Sequence, residues 1–195
     1  LSQYNLMKLI KLLLTIFIVS SYCNFAKSDD IKDFQIEGIS IGDTLLEHFN
    51  LIEINDATDE SAKDRIYIVK TFFNKNFDLY EAVQLTYKES DKKKIIVGVG
   101  GVLEFPNNIN KCKIEMNKIA SELKNLFPKA DKIDWGKYVM PTKEGHYFPI
   151  TFDFKNSSRA MVSCQDWNKK SGINDNLKVA LFSAEYSEYL KQQNK

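Results

Sequence analysis

Cys112 and Cys164 are the residues of this chain whose type and setting most directly imply chemistry. A thiol becomes a nucleophile or a metal ligand as its thiolate, in an open and electropositive pocket. Both sulfurs fall instead on apolar faces. Cys112 sits in the helical stripe Ile109, Cys112, Met116, Ile119, Ala120, Leu123, and Cys164 in the alternating set Ala160, Val162, Cys164. In an oxidising compartment, an even pair that can meet inside the fold is most simply a disulfide. Two buried free thiols, or one reactive thiolate paired with His146, are the competing readings.

The chain has two histidines. His48, between Glu47 and Phe49 at the end of a short helix, suits an interaction with the carbonyls of that helix end. His146 follows Gly145 at a strand entrance and is the imidazole on which a small hydrolase-like site can be centred. Asp134, Asp153 or Asp166 is its possible partner in such a site. Aromatic side chains provide a different kind of site. Trp135 and Tyr138 lie with Tyr147 around a long connection, and Trp167 follows Cys164-Gln165-Asp166. Rings held on loops beside a sheet are contact residues for a partner protein, a glycan or a small apolar ligand. The alternative for Trp167 is packing over the disulfide.

No HExxH, paired CxxC, Walker A loop or GxSxG elbow is present, so no metal or cofactor is expected. The run Val97-Gly98-Val99-Gly100-Gly101-Val102 lacks the Lys-Ser/Thr of a phosphate loop and lies inside a strand pattern, which points to a bulge or a close packing contact. Asp56, Asp59 and Glu60 do not have calcium-loop spacing. Asn156-Ser157-Ser158 matches a glycosylation acceptor on a hairpin tip.

The elements that must position these residues follow from periodicity. Met7-Lys8-Leu9-Ile10-Lys11 and an apolar run to Val19, followed by small and polar residues, have the layout of a secretory signal peptide. Residues 1–28 are read as a leader, counting the residues ahead of Met7, and 29–195 as one α+β domain. A cut near Ser28 is favoured over one beside Cys23, which Tyr22 makes a poor lipidation site. The apolar run is shorter than the roughly 20 residues that span a bilayer, so the mature chain has no transmembrane segment. Removing residues 1–28 takes away three lysines and no acid, and the formal charge moves from +1 to −2. With no basic block and only Arg65 and Arg159 as arginines, nucleic acid is excluded as a partner.

Alternation predicts strands at 34–36, 65–73, 79–87, 95–105, 148–154, 160–164 and 177–181. Residues 43–49 read as a short helix with Leu45, Leu46, Phe49 and Ile52 on its apolar face. Residues 56–63 read as a loop. The clearest helix is 108–127, between Pro106 and Pro128. Residues 129–145 form a connection long enough to suggest function, and 183–191 a closing helix capped by Ser183. The expected architecture is an antiparallel sheet of about six to seven strands. The long helix packs on one face, with a short N-terminal helix beside it, and the other face is partly solvated.

The segment Ile36-Glu37-Gly38-Ile39-Ser40-Ile41-Gly42-Asp43-Thr44-Leu45-Leu46-Glu47-His48-Phe49, with Cys112 and Cys164-Gln165-Asp166-Trp167, resembles an uncharacterised family of small exported proteins from marine bacteria. The resemblance implies a periplasmic or secreted location and no known activity. The reading that follows is an exported, non-catalytic binding or envelope accessory module. The alternatives are the hydrolase-like site at His146 and a carrier of lipid or another small ligand in a cavity under the long helix.

Overall fold

Alternating apolar and polar side chains run through most of the long segments of this chain, and each such segment is a strand of one antiparallel sheet. The computed structural model describes residues 31–73, 76–140 and 144–193. Residues 1–28, read from the sequence as a leader, and Cys23 within them lie outside the described residues. The main sheet has nine strands: β3 (Thr58–Asp59), β4 (Tyr67–Phe72), β5 (Ala82–Lys88), β6 (Ile96–Glu104), β7 (Asp131–Asp134), β8 (Tyr138–Val139), β9 (Gly145–Asp153), β10 (Arg159–Trp167) and β11 (Asn176–Phe182). Their spatial order is β3-β4-β5-β6-β11-β10-β9-β7, with β8 also paired to β9. A separate hairpin, β1 (Gln35–Ile36) with β2 (Ile39–Ser40), precedes them. The helices are α1 (Leu45–His48), α2 (Leu51–Asp56), α3 (Ile109–Leu126) and α4 (Ala184–Gln193).

The antiparallel α+β architecture agrees with the sequence, and three details differ from it. The main sheet has nine strands, more than expected, because residues 129–145 contribute β7 and β8 and residues 56–63, expected to be a loop, contribute β3, which pairs with β4. A second helix, α2, follows α1 directly. Asn50 caps it by accepting from the amides of Ile52 and Glu53, while the Glu53 carboxylate accepts from the Asn50 amide. That reciprocal cap restarts the helix and turns it away from α1. As a result Leu46 is 48% and Ile52 72% exposed, and neither belongs to the buried face expected of them.

Residue parity assigns two faces to the main sheet. The covered face carries Val83, Leu85, Val99, Leu177, Leu181, Ala160, Val162, Cys164, Ile150 and Phe152, all buried. Over β9, β10 and β11 lies α3, contributing Cys112, Met116, Ile119, Ala120 and Leu123. Cys112 and Cys164 form the disulfide, with Cα atoms 6.0 Å apart and both residues fully buried. The N-terminal segment completes this core with Ile31, Ile36, Ile39, Leu45, Phe49 and Ile54. Its hairpin is tied in by Glu37, whose carboxylate accepts from the amides of Asp78, Leu79 and Tyr80 at 2.9, 2.7 and 3.0 Å.

The glycine run of β6 answers to both sequence expectations. The register with β5 shifts between Thr86 and Tyr87, leaving an extra residue in β6. A Cβ at Gly101 would come within 2.5 Å of the Tyr80 ring, which therefore lies directly on the backbone there.

Candidate functional site

The second face of the sheet is only partly covered. At one end α4 lays Tyr186 on Tyr67 and Phe182, with ring centroids 4.9 and 5.5 Å apart. Ser183 caps this helix as expected, its hydroxyl accepting from the Tyr186 amide. The other end is where β7 and β8 dock along β9. The Asp134 carboxylate accepts from the Gly136 amide at 2.9 Å, and Gly136 has φ of 70°. This turn lets the chain leave β7 and return as β8 with Tyr138 directly opposite Tyr147. Trp135 comes to lie over the same face. Its backbone amide donates to the Pro149 carbonyl at 3.1 Å and its indole N–H to the Thr151 hydroxyl at 3.0 Å.

Trp135, Tyr138 and Tyr147 thus form a line of rings with successive centroid separations of 6.4 and 5.4 Å. Trp135 is 43% and Tyr138 40% exposed, while Tyr147 is half-buried between them and the sheet. Burial, helped by the neighbouring Tyr138 ring, raises the Tyr147 pKa above the ordinary phenol value. Gln165 faces Tyr147 across the β9–β10 pairing and extends this surface with an amide.

Toward the middle of the same face is a polar chain that sequence periodicity did not reveal. The Lys178 ammonium donates to the Gln84 side-chain carbonyl. The Gln84 amide donates to Glu60 at 2.7 Å and to the Thr71 hydroxyl at 3.3 Å, and that hydroxyl donates to Glu60 at 2.6 Å. Burial brings the Lys178 pKa down to about 8, partly opposed by the Glu60 charge. Gly100 makes room for the arm: a Cβ there would lie 3.0 Å from Lys178 Cε.

The other residues singled out from the sequence are dispersed. His146 stands on the covered face with Phe148, opposite Asp166. Among the described residues, no hydrogen bond joins it to an aspartate. Asp153 is held by Arg159 through bonds of 2.7 and 2.8 Å, and Asp134 serves the Gly136 turn. Trp167 lies at the end of β10, three residues past Cys164, so parity puts it on the face opposite the disulfide. Its indole N–H is buried without a partner among the described residues. The His48 Nε2–H donates to the Asp43 carboxylate at 2.9 Å, and together with Glu47 the two place three ligand-type atoms within 4.8 Å of one another. Asp43 also accepts from the Ser40 amide and Glu47 from the Thr44 amide, so these carboxylates are occupied in starting α1. Asp59 is bound by Arg65 and Lys70, and hydrogen bonds from Ser61 are the main reason its pKa falls to about 2. No helix among the described residues is long and apolar enough to cross a membrane.

The arrangement is one of exposed rings, Trp135 among them held by hydrogen bonds, beside a connected polar network. Comparison of the chain with protein-family models, with curated proteins and with solved structures returns no match.

Proposed function

We propose that this protein is an exported, non-catalytic binding module whose contact surface is the Trp135–Tyr138–Tyr147 line on the open sheet face. One observation carries this reading. Trp135 is strongly exposed, yet its indole is fixed by the bond to Thr151 and its backbone by the bond to Pro149. An exposed ring already held in one orientation loses little conformational entropy when a ligand arrives, which favours binding. Flat aromatic faces suit the apolar side of a sugar ring or an apolar partner group. Export rests on the leader pattern, on the resemblance of the Ile36–Phe49 segment and of Cys164-Gln165-Asp166-Trp167 to small exported proteins, and on the buried disulfide.

The test is a comparison of the wild type with Trp135→Ala/Tyr138→Ala. Both proteins are titrated with a panel of soluble oligosaccharides and used in pull-downs from envelope extracts. The wild type is expected to retain a ligand that the variant loses, with unfolding midpoints close together because both side chains are outside the core. If nothing bound by the wild type is lost from an equally stable variant, this surface is not the contact site.

A further inference from the structure

A half-open groove of about 300 Å³ lies beside the sheet's first edge, between α2 and the end of β4. It is remote in the strand order from the aromatic line on β8 and β9. Its floor is the stacked pair Phe49 and Phe72, whose ring centroids are 4.0 Å apart at an interplanar angle of 25°. Phe73 stands at its mouth, 72% exposed. Glu53 and Asp56 line one side. They are three residues apart on α2 and so share one side of it.

Among the described residues lining this groove, both charged side chains are acidic. Neither Glu53 nor Asp56 has an ion pair among the described residues. The ammonium of Lys70 reaches the end of α2, donating to the Ala57 carbonyl at 3.2 Å, and lies 3.6 Å from Asp59. Asp56 occupies the last turn of α2, which carries no basic residue. A carboxylate there faces the carbonyl end of the helix, an unfavourable position that a further cation beside Lys70 relieves. The faces of phenylalanine rings also attract cations. An apolar floor, an exposed ring and two carboxylates without an ion pair among the described residues are complementary to one kind of molecule. The volume is at the small end of the range for small-molecule sites.

From this we propose that the groove binds a small organic ammonium ion. Its apolar body would lie on Phe49, Phe72 and Phe73, and its nitrogen between the carboxylates of Glu53 and Asp56. This does not depend on the aromatic line serving as a contact surface.

The test is a titration followed by amide chemical shifts, with 2-phenylethylammonium as the probe and the isosteric neutral 2-phenylethanol as the control. The amine should give saturable shifts confined to α2 and the β3–β4 edge, with a dissociation constant in the millimolar range, weakening as salt is added. The alcohol should bind at least tenfold more weakly. The variant Glu53→Gln/Asp56→Asn should lose at least tenfold in amine affinity. Its unfolding midpoint should be no lower than that of the wild type, because glutamine preserves the cap to Asn50 and asparagine removes the misplaced charge. Phe73→Ser, at an exposed position, should weaken the amine while leaving the fold intact. Equal binding of alcohol and amine, or an unchanged amine affinity in the charge variant, would overturn the proposal. So would the absence of saturable shifts at tens of millimolar amine.

Discussion

Lys178 shows how a single side chain can oppose the fold that holds it. Its ammonium is half-buried on the open sheet face with a neutral amide, Gln84, as its hydrogen-bond acceptor. Burial lowers its pKa to about 8 from the ordinary 10.5. Between these two values the unfolded chain keeps a proton that the folded chain has released, so the contribution of this residue to stability rises with pH across that window. Below about pH 8 both states are protonated, and the folded one carries the cost of a poorly solvated charge. Lys178→Met keeps most of the arm over Gly100 and removes the charge. The variant is expected to be more stable than the wild type at pH 7 by about 1–2 kcal/mol, allowing for partial exposure. The difference should shrink steadily from pH 8 to 10.5, read by urea unfolding at each pH. A difference that does not vary with pH would mean that the ammonium is fully solvated. Nothing in the local sequence Asn176-Leu177-Lys178-Val179 marks this lysine, because alternation predicts only that it points away from the core.

At the scale of elements, the decisive attachment is that of α3 to β10. The apolar stripe of α3 was legible from its spacing, and so was the burial of Cys112 and Cys164 on faces able to meet. The disulfide joins residues 52 positions apart. In the chain-entropy view, removing it frees the unfolded chain by about 4 kcal/mol. Cys112→Ala/Cys164→Ala is expected to lose stability on that scale in guanidinium unfolding, and the wild type to shift likewise with reductant. Coincident curves with and without reductant would show that the bond does not constrain the unfolded chain. The elements that escaped sequence reading are the short ones. α2 has six residues and β8 two, too few for a period to register, and both exist because of specific side chains. Asn50 and Glu53 restart the helix, and the Gly136 turn brings Tyr138 back to β9. The connection at 129–145 drew attention by its length, and it is built as edge strands that present Trp135 and Tyr138.

For the molecule as a whole, the order of the sheet governs where stability resides. β11, the last strand in the chain, lies between β6 and β10, pairing residues 176–182 with 98–104 on one side and 159–165 on the other. The sheet is therefore completed only when the C-terminal strand is in place. Hydrogen exchange is expected to be slowest in β5, β6, β10 and β11, each hydrogen-bonded on both sides under a buried core, and fastest in β3 and β8. Exchange from β11 as fast as from β3 would mean that the central strand opens independently. Local pattern alone determined the long strands and helices, which way Cys112 and Cys164 face, and that Trp135 and Tyr138 belong to a connection. Burial on a period of 2 or 3.6 residues is written into neighbouring side chains. Only the tertiary structure decided that β11 is central and that Lys178 meets Gln84 from 94 residues away. It also decided that Trp135, Tyr138 and Tyr147 line up, that His146 lies on the other face of the sheet, and that Phe49 and Phe72 floor an acidic groove. Those outcomes depend on strand order and register, which are set by the cooperative packing of distant segments and leave no trace in local sequence.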